Sequence, residues 1–336
     1  MILSWNTTKR CNLYCKHCYR DSDEHPQENE LTLEEGMKLI DGIQATGIFK
    51  ILILSGGEPL LREDLEDLVS YAKSKGLIPV LGTNGTLLNL ERAKSLKASG
   101  LAAVGVSLDS VRAVSHDGFR QTPGAFKQAI EGIKNAKAVG LRVQINPTLT
   151  RDNVGELEQL VQMSVELGAG AMHPFFLVEA GRGKCITENA LSDQEYFDAL
   201  NEILKLQTQY DIELKPTCAP QFMSLAKQLD MLMRFTRGCL AGISYCCILP
   251  DGVVHVCPYL PIVAGDVREK SFDLIWKNSE VFKALREASN YEGNCGNCSD
   301  QSICGGCRAR AFYKNGHYLA EDPMSRYCFQ QDGGKA

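Results

Sequence analysis

From residue 1 to about residue 210, short apolar runs rich in β-branched residues alternate with longer stretches whose apolar positions recur every three to four residues. The first pattern fits a strand and the second a helix that buries one stripe. Strands are predicted at 2–8, 50–54, 78–82, 103–108, 141–147 and 171–178, and helices at 32–45, 63–75, 89–99, 123–139, 153–167 and 192–209. A strand followed each time by a helix implies a parallel sheet, because parallel neighbours need a crossover connection. Six such units predict an α/β fold of the partial (β/α)6 barrel type, two units short of the closed eight.

Residues 211–236 break this rhythm with Pro216 and Pro220, then a Met-rich helical piece, and read as a bridge. From Arg237 onward short strands, turns and cysteines take over, with Asp251-Gly252 between two apolar runs as a hairpin turn. The predicted organisation is a barrel over 1–210, a bridging segment over 211–236 and a cysteine-rich domain over 237–336. Lys and Arg number 36 against 41 Asp and Glu, a formal charge of −5, so no basic field for nucleic acid is expected. No apolar run approaches the ~18 residues of a membrane span. The opening MILSWNTTKR lacks the charged-then-apolar plan of a signal peptide. A cytoplasmic protein is expected.

The 14 cysteines change the picture: Cys11, Cys15 and Cys18 come first, Cys185 stands alone, and ten follow from Cys218 to Cys328. In a reducing compartment such a count points to metal rather than disulfides. Cys11-x3-Cys15-x2-Cys18 directly follows the first strand, at the end where a barrel carries its active-site loops. A zinc site is usually completed by a fourth nearby thiol or imidazole, and His17 lies between two of the cysteines, where it does not readily point the same way. Three thiolates hold three irons of a 4Fe-4S cluster and leave the fourth iron open to a ligand.

The stretch CNLYCKHC resembles the radical S-adenosylmethionine (SAM) enzymes. Ser55-Gly56-Gly57-Glu58-Pro59, Thr83-Asn84-Gly85-Thr86, Ser107-Leu108-Asp109 and Gly181-Arg182-Gly183 resemble them too, in order at later strand ends. The resemblance implies that Cys11, Cys15 and Cys18 ligate a cluster. It also implies that SAM is contacted by His17, Gly56, Gly57, Glu58, Asn84, Ser107, Asp109 and Arg182, with Glu58 and nearby backbone on the SAM amino group. His116-Asp117-Gly118-Phe119-Arg120 is similar to a superfamily segment expected as a structural loop over that site. Read alone, Gly56-Gly57 and Asn84-Gly85 are equally plain turns.

Cys239, Gly252-x4-Cys257, Cys295-x2-Cys298-x5-Cys304-x2-Cys307 and Cys328 resemble the SPASM domain, which holds auxiliary 4Fe-4S clusters. That resemblance implies three clusters in all. Cys295, Cys298, Cys304 and Cys328 would hold the outer auxiliary cluster, and Cys239, Cys246, Cys257 and Cys307 the one nearer the barrel. Cys247 competes with Cys246, which is preferred because Cys247 opens the apolar run Ile248-Leu249 and reads as a buried thiol. Cys185 reads as structural. On zinc logic the CxxC pairs would be knuckles, though their separation is short for that.

The resemblance implies an enzyme fed by a ferredoxin or flavodoxin reductant, which cleaves SAM to a radical that takes hydrogen from an unactivated carbon. Tyr19-Arg20, Thr217-Cys218-Ala219-Pro220-Gln221, Cys257-Pro258-Tyr259-Leu260-Pro261 and the run from Cys304 to Arg310 look like the branch that tailors tetrapyrroles. Haem d1 synthesis and the siroheme-dependent haem route belong to it, where acetate and propionate side chains are removed or oxidised. Many peptide maturases carry a leader-binding domain where this sequence has ten residues before Cys11. Arg182, Lys184, Lys215, Arg234 and Arg237 are candidate partners for substrate carboxylates, with solvated surface as their alternative. Cys218 is the candidate catalytic residue, as acid, hydrogen donor or iron ligand, against a buried structural thiol. His173 has the same readings. A SPASM maturase of a peptide or protein stays open, as does a non-enzymatic iron-sulfur electron carrier.

Overall fold

The computed structural model describes residues 1–325; Cys328 lies outside them. Strand β1 (Ile2–Thr8) sends Leu3 and Trp5 to one face and Ser4 and Asn6 to the other. Leu3 and Trp5 are buried beneath helix α1 (Leu33–Ala45), where the Trp5 ring fills the space a side chain at Gly36 would take. The same alternation repeats along the chain in β2 (Ile51–Gly56), β3 (Ile78–Thr83), β4 (Ala103–Ser107) and β5 (Arg142–Asn146). Between them run α2 (Leu65–Ser74), α3 (Leu90–Ala98), α4 (Ala113–Arg120) and α5 (Ala125–Ala138). After β5 come β6 (Thr148–Leu149), α6 (Leu157–Glu166), β7 (Ala171–Met172), β8 (Phe175–Phe176), α7 (Asp193–Gln209), β9 (Glu213–Leu214) and α8 (Phe222–Gln228). The remainder is β10 (Tyr245–Ile248), β11 (Val253–Cys257), β12 (Leu260–Asp266), α9 (Phe272–Asn278), α10 (Glu280–Arg286), α11 (Gly293–Gly296) and α12 (Arg308–Asn315).

Helix starts follow their caps. Thr32 accepts from the Glu35 N–H while the Glu35 carboxylate accepts from the Thr32 N–H, and Ser192 with Glu195 repeats this box at α7. Ten strands form one sheet in the order β12-β11-β10-β1-β2-β3-β4-β5-β7-β9. The pairs from β10 through β1 to β9 are all parallel, which is the partial α/β barrel. The hairpin β10-β11 continues it past β1, so the cysteine-rich part extends the barrel's own sheet.

Three expectations are corrected. The sixth strand breaks at Pro174, which has no N–H for a ladder; β7 stays in the large sheet, while β8 pairs with β6 in a second one. The segment from His116 to Arg120 is no loop but the end of α4, with His116 and Arg120 buried. The bridge adds a strand of its own, β9, beyond β7. Among the described residues no helix is long and apolar enough to cross a membrane.

The helix-facing side of the sheet is closed by Leu52, Leu54, Leu81, Val104, Val106, Val143 and Ile145. The register sets Gly82, Gly105, Gln144, Ala171 and Glu213 side by side on the opposite, concave face. Gly82 and Gly105 do not have positive φ. They supply room, and a methyl group on Gly105 would stand 2.8 Å from the Asn146 amide nitrogen.

Candidate active site and iron-sulfur centres

The loop after β1 carries Cys11, Cys15 and Cys18, and each sulfur meets an N–H donor. Leu13 N approaches Cys11 Sγ at 3.5 Å, Ser22 N reaches Cys18 Sγ at 3.4 Å, and Arg120 Nη1 lies 3.7 Å from Cys15 Sγ. Such donors suit sulfurs that carry negative charge as metal ligands. As free thiols, Cys11 is pushed up to about 12 by burial and Cys15 is raised by burial against the pull of Arg120. Metal binding would displace those protons.

Gly56 and Gly57 are where this loop meets β2. A side chain on Gly56, at φ +140°, would stand 2.3 Å from Thr8 O, and one on Gly57 2.3 Å from Arg10 O. That close approach lets Gly57 N donate to Thr8 O at 2.7 Å and Glu58 N to Arg10 O at 2.8 Å. The Glu58 carboxylate is fully buried and turned inward, accepting from Thr83 Oγ1 at 2.7 Å, Asn84 N at 2.8 Å and Leu60 N at 3.1 Å. This carboxylate also clamps one turn to the next. Burial, against those three donors, pushes it up to about 7. Asn84 Nδ2 reaches Asn12 Oδ1 at 2.9 Å and Cys11 Sγ at 3.9 Å, so this residue also ties its turn to the cysteine loop.

Asp109 and Arg182 are likewise occupied within the protein. Asp109 is buried, accepting from Arg120 Nε at 2.6 Å and from Thr148 N at 2.9 Å. Burial alone would raise it, but the Arg120 guanidinium, aided by His17 and His116, holds it down at about 2. Arg182 donates to Cys15 O and Ser22 O, each at 2.9 Å, and lies over the Tyr14 ring. Arg182 braces the cysteine loop directly, and Asp109 does so through Arg120, which reaches Cys15 Sγ. Arg120 falls in the segment expected to be structural over the site, but its pairing with Asp109, eleven positions earlier, and its approach to Cys15 depend on the fold.

His17 stacks on Phe119 with ring centroids 4.1 Å apart, and burial, then Arg120, lowers it to about 3. Its Nδ1 is buried without a hydrogen-bond partner. An orphaned acceptor on a neutral ring beside the cysteine loop fits a nucleoside ligand such as SAM. Ser107 closes β4 on the concave face and is partly accessible.

In the C-terminal part Cys295, Cys298 and Cys304 line one small cavity with Gln221, Gly305, Gly306 and Ser325. Arg308 Nη2 and Asp322 N reach Cys295 Sγ at 3.4 and 3.3 Å, Asp300 N reaches Cys298 Sγ at 3.4 Å, and Gly306 N reaches Cys304 Sγ at 3.5 Å. A side chain on Gly306 would stand 2.8 Å from Cys295 Sγ. These donors, and a cradle that a Cβ would fill, fit a cluster.

The second group differs from expectation. Cys218, held at φ +61°, is a neighbour of Cys307, and that neighbour, with Arg310, draws Cys307 down while Cys218 is raised. Burial and then nearby thiols, Cys307 among them, push Cys239 and Cys257 up. Cys246 pairs with Leu3 and shares its buried, helix-facing side, whereas Cys247 pairs with Ser4 and His255 on the concave side. The preference for Cys246 as ligand is therefore corrected: strand parity turns it away from Cys257, into the apolar core. Cys185, expected to be structural, is exposed. Among the described residues no three potential ligands converge as around a single ion; a four-iron cluster distributes its thiolates over separate metals.

Of the five candidate cations, Arg237 donates to Cys239 O and Lys184 lies over the Tyr313 ring. Lys215 lies over Phe235, and Arg234 stands 4.0 Å from Glu213, whose other oxygen is 3.1 Å from His173 Nε2.

The radical SAM superfamily matches residues 5–163, and an iron-sulfur cluster-binding domain, SPASM, matches residues 239–299. AdoMet-dependent heme synthase of Methanosarcina barkeri is 38% identical over 99% of this chain and 97% of its own length. Fe-coproporphyrin III synthase of the same organism is 33% identical, covering 96% and 85%. Pre-heme d1 synthase of Dinoroseobacter shibae is 31% identical, covering 96% and 85%. In fold, the chain resembles Streptococcus suis SuiB bound to S-adenosylmethionine with a TM-score of 0.76 at 17% identity, over 97% of this chain and 77% of that one.

Proposed function

The chain belongs to the radical SAM superfamily and carries its SPASM iron-sulfur extension, and on that premise we propose that it acts on an iron tetrapyrrole. It is an AdoMet-dependent enzyme with 4Fe-4S chemistry, which sets aside the electron-carrier reading. The proposed reaction removes or oxidises carboxyalkyl side chains of the macrocycle. The observation that carries it is the 38% identity to a heme synthase along nearly the whole of both chains, above the 33% and 31% of the two other relatives. That order favours propionate over acetate chemistry, since haem differs from Fe-coproporphyrin III by two vinyl groups in place of two propionates.

Three clusters are proposed. Cys11, Cys15 and Cys18 would hold the one that binds SAM; Cys218, Cys239, Cys257 and Cys307 the inner auxiliary cluster; and Cys295, Cys298, Cys304 and Cys328 the outer. Cys11, Cys15 and Cys18 would hold a cluster that, with SAM and an electron from a ferredoxin or flavodoxin, would supply 5′-deoxyadenosyl radical chemistry. The chain's own part is placement. His17, Ser107 and the backbone at Gly56 and Gly57 would receive SAM, while Arg120 and Arg182 fix the cysteine loop. Gly82 and Gly105 make room on the concave face for the side chains of Ser55 and Asn146, whose polar ends would line the floor under a ring, and Lys215 and Arg234 lie beyond β9 as candidates for its carboxylates. Anaerobic titration with Fe-coproporphyrin III and didecarboxysiroheme tests this, with Soret shifts and tetrapyrrole-dependent 5′-deoxyadenosine as the expected result. Binding of neither, together with turnover of a cysteine-containing peptide, would transfer the assignment to the maturases.

A further inference from the structure

His173 follows β7 on the concave face, and Glu213 lies on β9 beside it. The register that aligns Ala171 with Glu213 carries His173 one pleat further along the same face, towards the strand ends. Its ring is partly accessible, with 19% of the side chain exposed. Nε2 stands 3.1 Å from Glu213 Oε1, and Nδ1 has no hydrogen-bond partner among the described residues. We propose that His173 is an axial ligand to the iron of the bound tetrapyrrole through Nδ1, with Glu213 as the positioning residue that fixes its tautomer. This deepens, and rests on, the tetrapyrrole reading above.

Proton bookkeeping supports it. The hydrogen bond with His173 comes first among the effects that hold Glu213 below the usual carboxylate range, so at neutral pH it is ionised and only accepts. The shared proton therefore sits on Nε2, and the lone pair of Nδ1 is free to bind metal. Burial keeps the imidazole neutral by lowering its pKa, with Lys215 adding to the effect. A histidine that ligates iron through one nitrogen and donates to a carboxylate through the other is the usual arrangement of metal-bound imidazole. Arg234, 4.0 Å from the second Glu213 oxygen, and Lys215, two residues beyond Glu213, place cations on the same wall for the carboxylates of the ring. Coordination here transfers no electron; the nitrogen lone pair fills an open iron position.

The test uses the cluster-loaded full chain and Fe-coproporphyrin III, with metal-free coproporphyrin III as the control. Resonance Raman spectra of the ferrous complex should contain an iron–imidazole stretching band that moves on 54Fe substitution. The band should vanish in His173→Ala and in His173→Asn, and return to the alanine variant on adding imidazole. Glu213→Gln should keep the band at lower frequency, because a weaker acceptor leaves less negative charge on the ring. Wild type should bind the iron form about tenfold more tightly than the metal-free form, and His173→Ala should bind both alike. A band unchanged in His173→Ala, or equal affinity of wild type for the two forms, overturns the ligand assignment and leaves the tetrapyrrole reading standing. Failure of wild type to bind either form overturns both.

Discussion

Two adjacent cysteines on one strand cannot serve one cluster, because successive side chains leave a strand on opposite faces. Cys246 faces the helices with Leu3, and Cys247 faces the concave side with Ser4. Cys218, a bridge residue with positive φ, lies beside Cys307 and is proposed in place of Cys246. Cys218→Ala should therefore lower the iron content of reconstituted protein by about four of about twelve atoms per chain. Cys246→Ala should keep full iron and sulfide while losing on the order of 1 kcal/mol from a shrunken core side chain. Equal iron loss in both variants would sink the parity argument. Arg120 offers a second residue-level test, since it is the cation that offsets buried Asp109 and also approaches Cys15. Arg120→Met leaves a buried carboxylate without its partner and should cost about 3 to 5 kcal/mol. Arg120→Lys, which keeps the charge but loses the fork, should cost less. Anaerobic urea unfolding of the three proteins gives the order, and a methionine variant as stable as wild type would contradict it.

At the scale of elements, the Gly56-Gly57 turn and its clamp, Glu58, decide how the cysteine loop sits on the barrel. Glu58 has a folded-state value of about 7 against an ordinary 4.5, so folding favours its protonated form. Its contribution to stability is complete below about pH 4.5 and is lost as the pH rises through about 7, by roughly 1 to 3 kcal/mol. Glu58→Gln should flatten that part of the pH profile, read as unfolding midpoints between pH 5.5 and 7.5; an unchanged slope would show that the carboxylate does not titrate there. Much of this level was legible in the sequence. Strand patterning found β1 to β5, and the three-to-four-residue apolar period marked the helices between them, because period is local. The cysteine loop and glycine turn were legible as spacing, but not the inward turn of Glu58 or the Asp109–Arg120 pair, which depend on segments that meet only in the fold. Cys246 looked the better ligand because a single strand read alone does not reveal which face its partners will cover. The break at Pro174 was written in the sequence, yet an apolar run on both sides concealed it.

For the whole molecule, β10 beside β1 makes one sheet of barrel and cysteine-rich extension, so the auxiliary thiols are carried by the same framework that carries the first cysteine loop. The concave face between them has glycines at its floor and cations with a histidine–carboxylate pair on its far wall. The central claim is that radical chemistry started at Cys11, Cys15 and Cys18 is spent on a tetrapyrrole side chain. It is tested most directly by following deuterium from Fe-coproporphyrin III labelled on its propionate methylenes, incubated anaerobically with the loaded enzyme, SAM and dithionite. Deuterium should appear in 5′-deoxyadenosine in step with loss of carbon dioxide from the macrocycle. Unlabelled 5′-deoxyadenosine, formed at the same rate with and without the tetrapyrrole, would contradict the account.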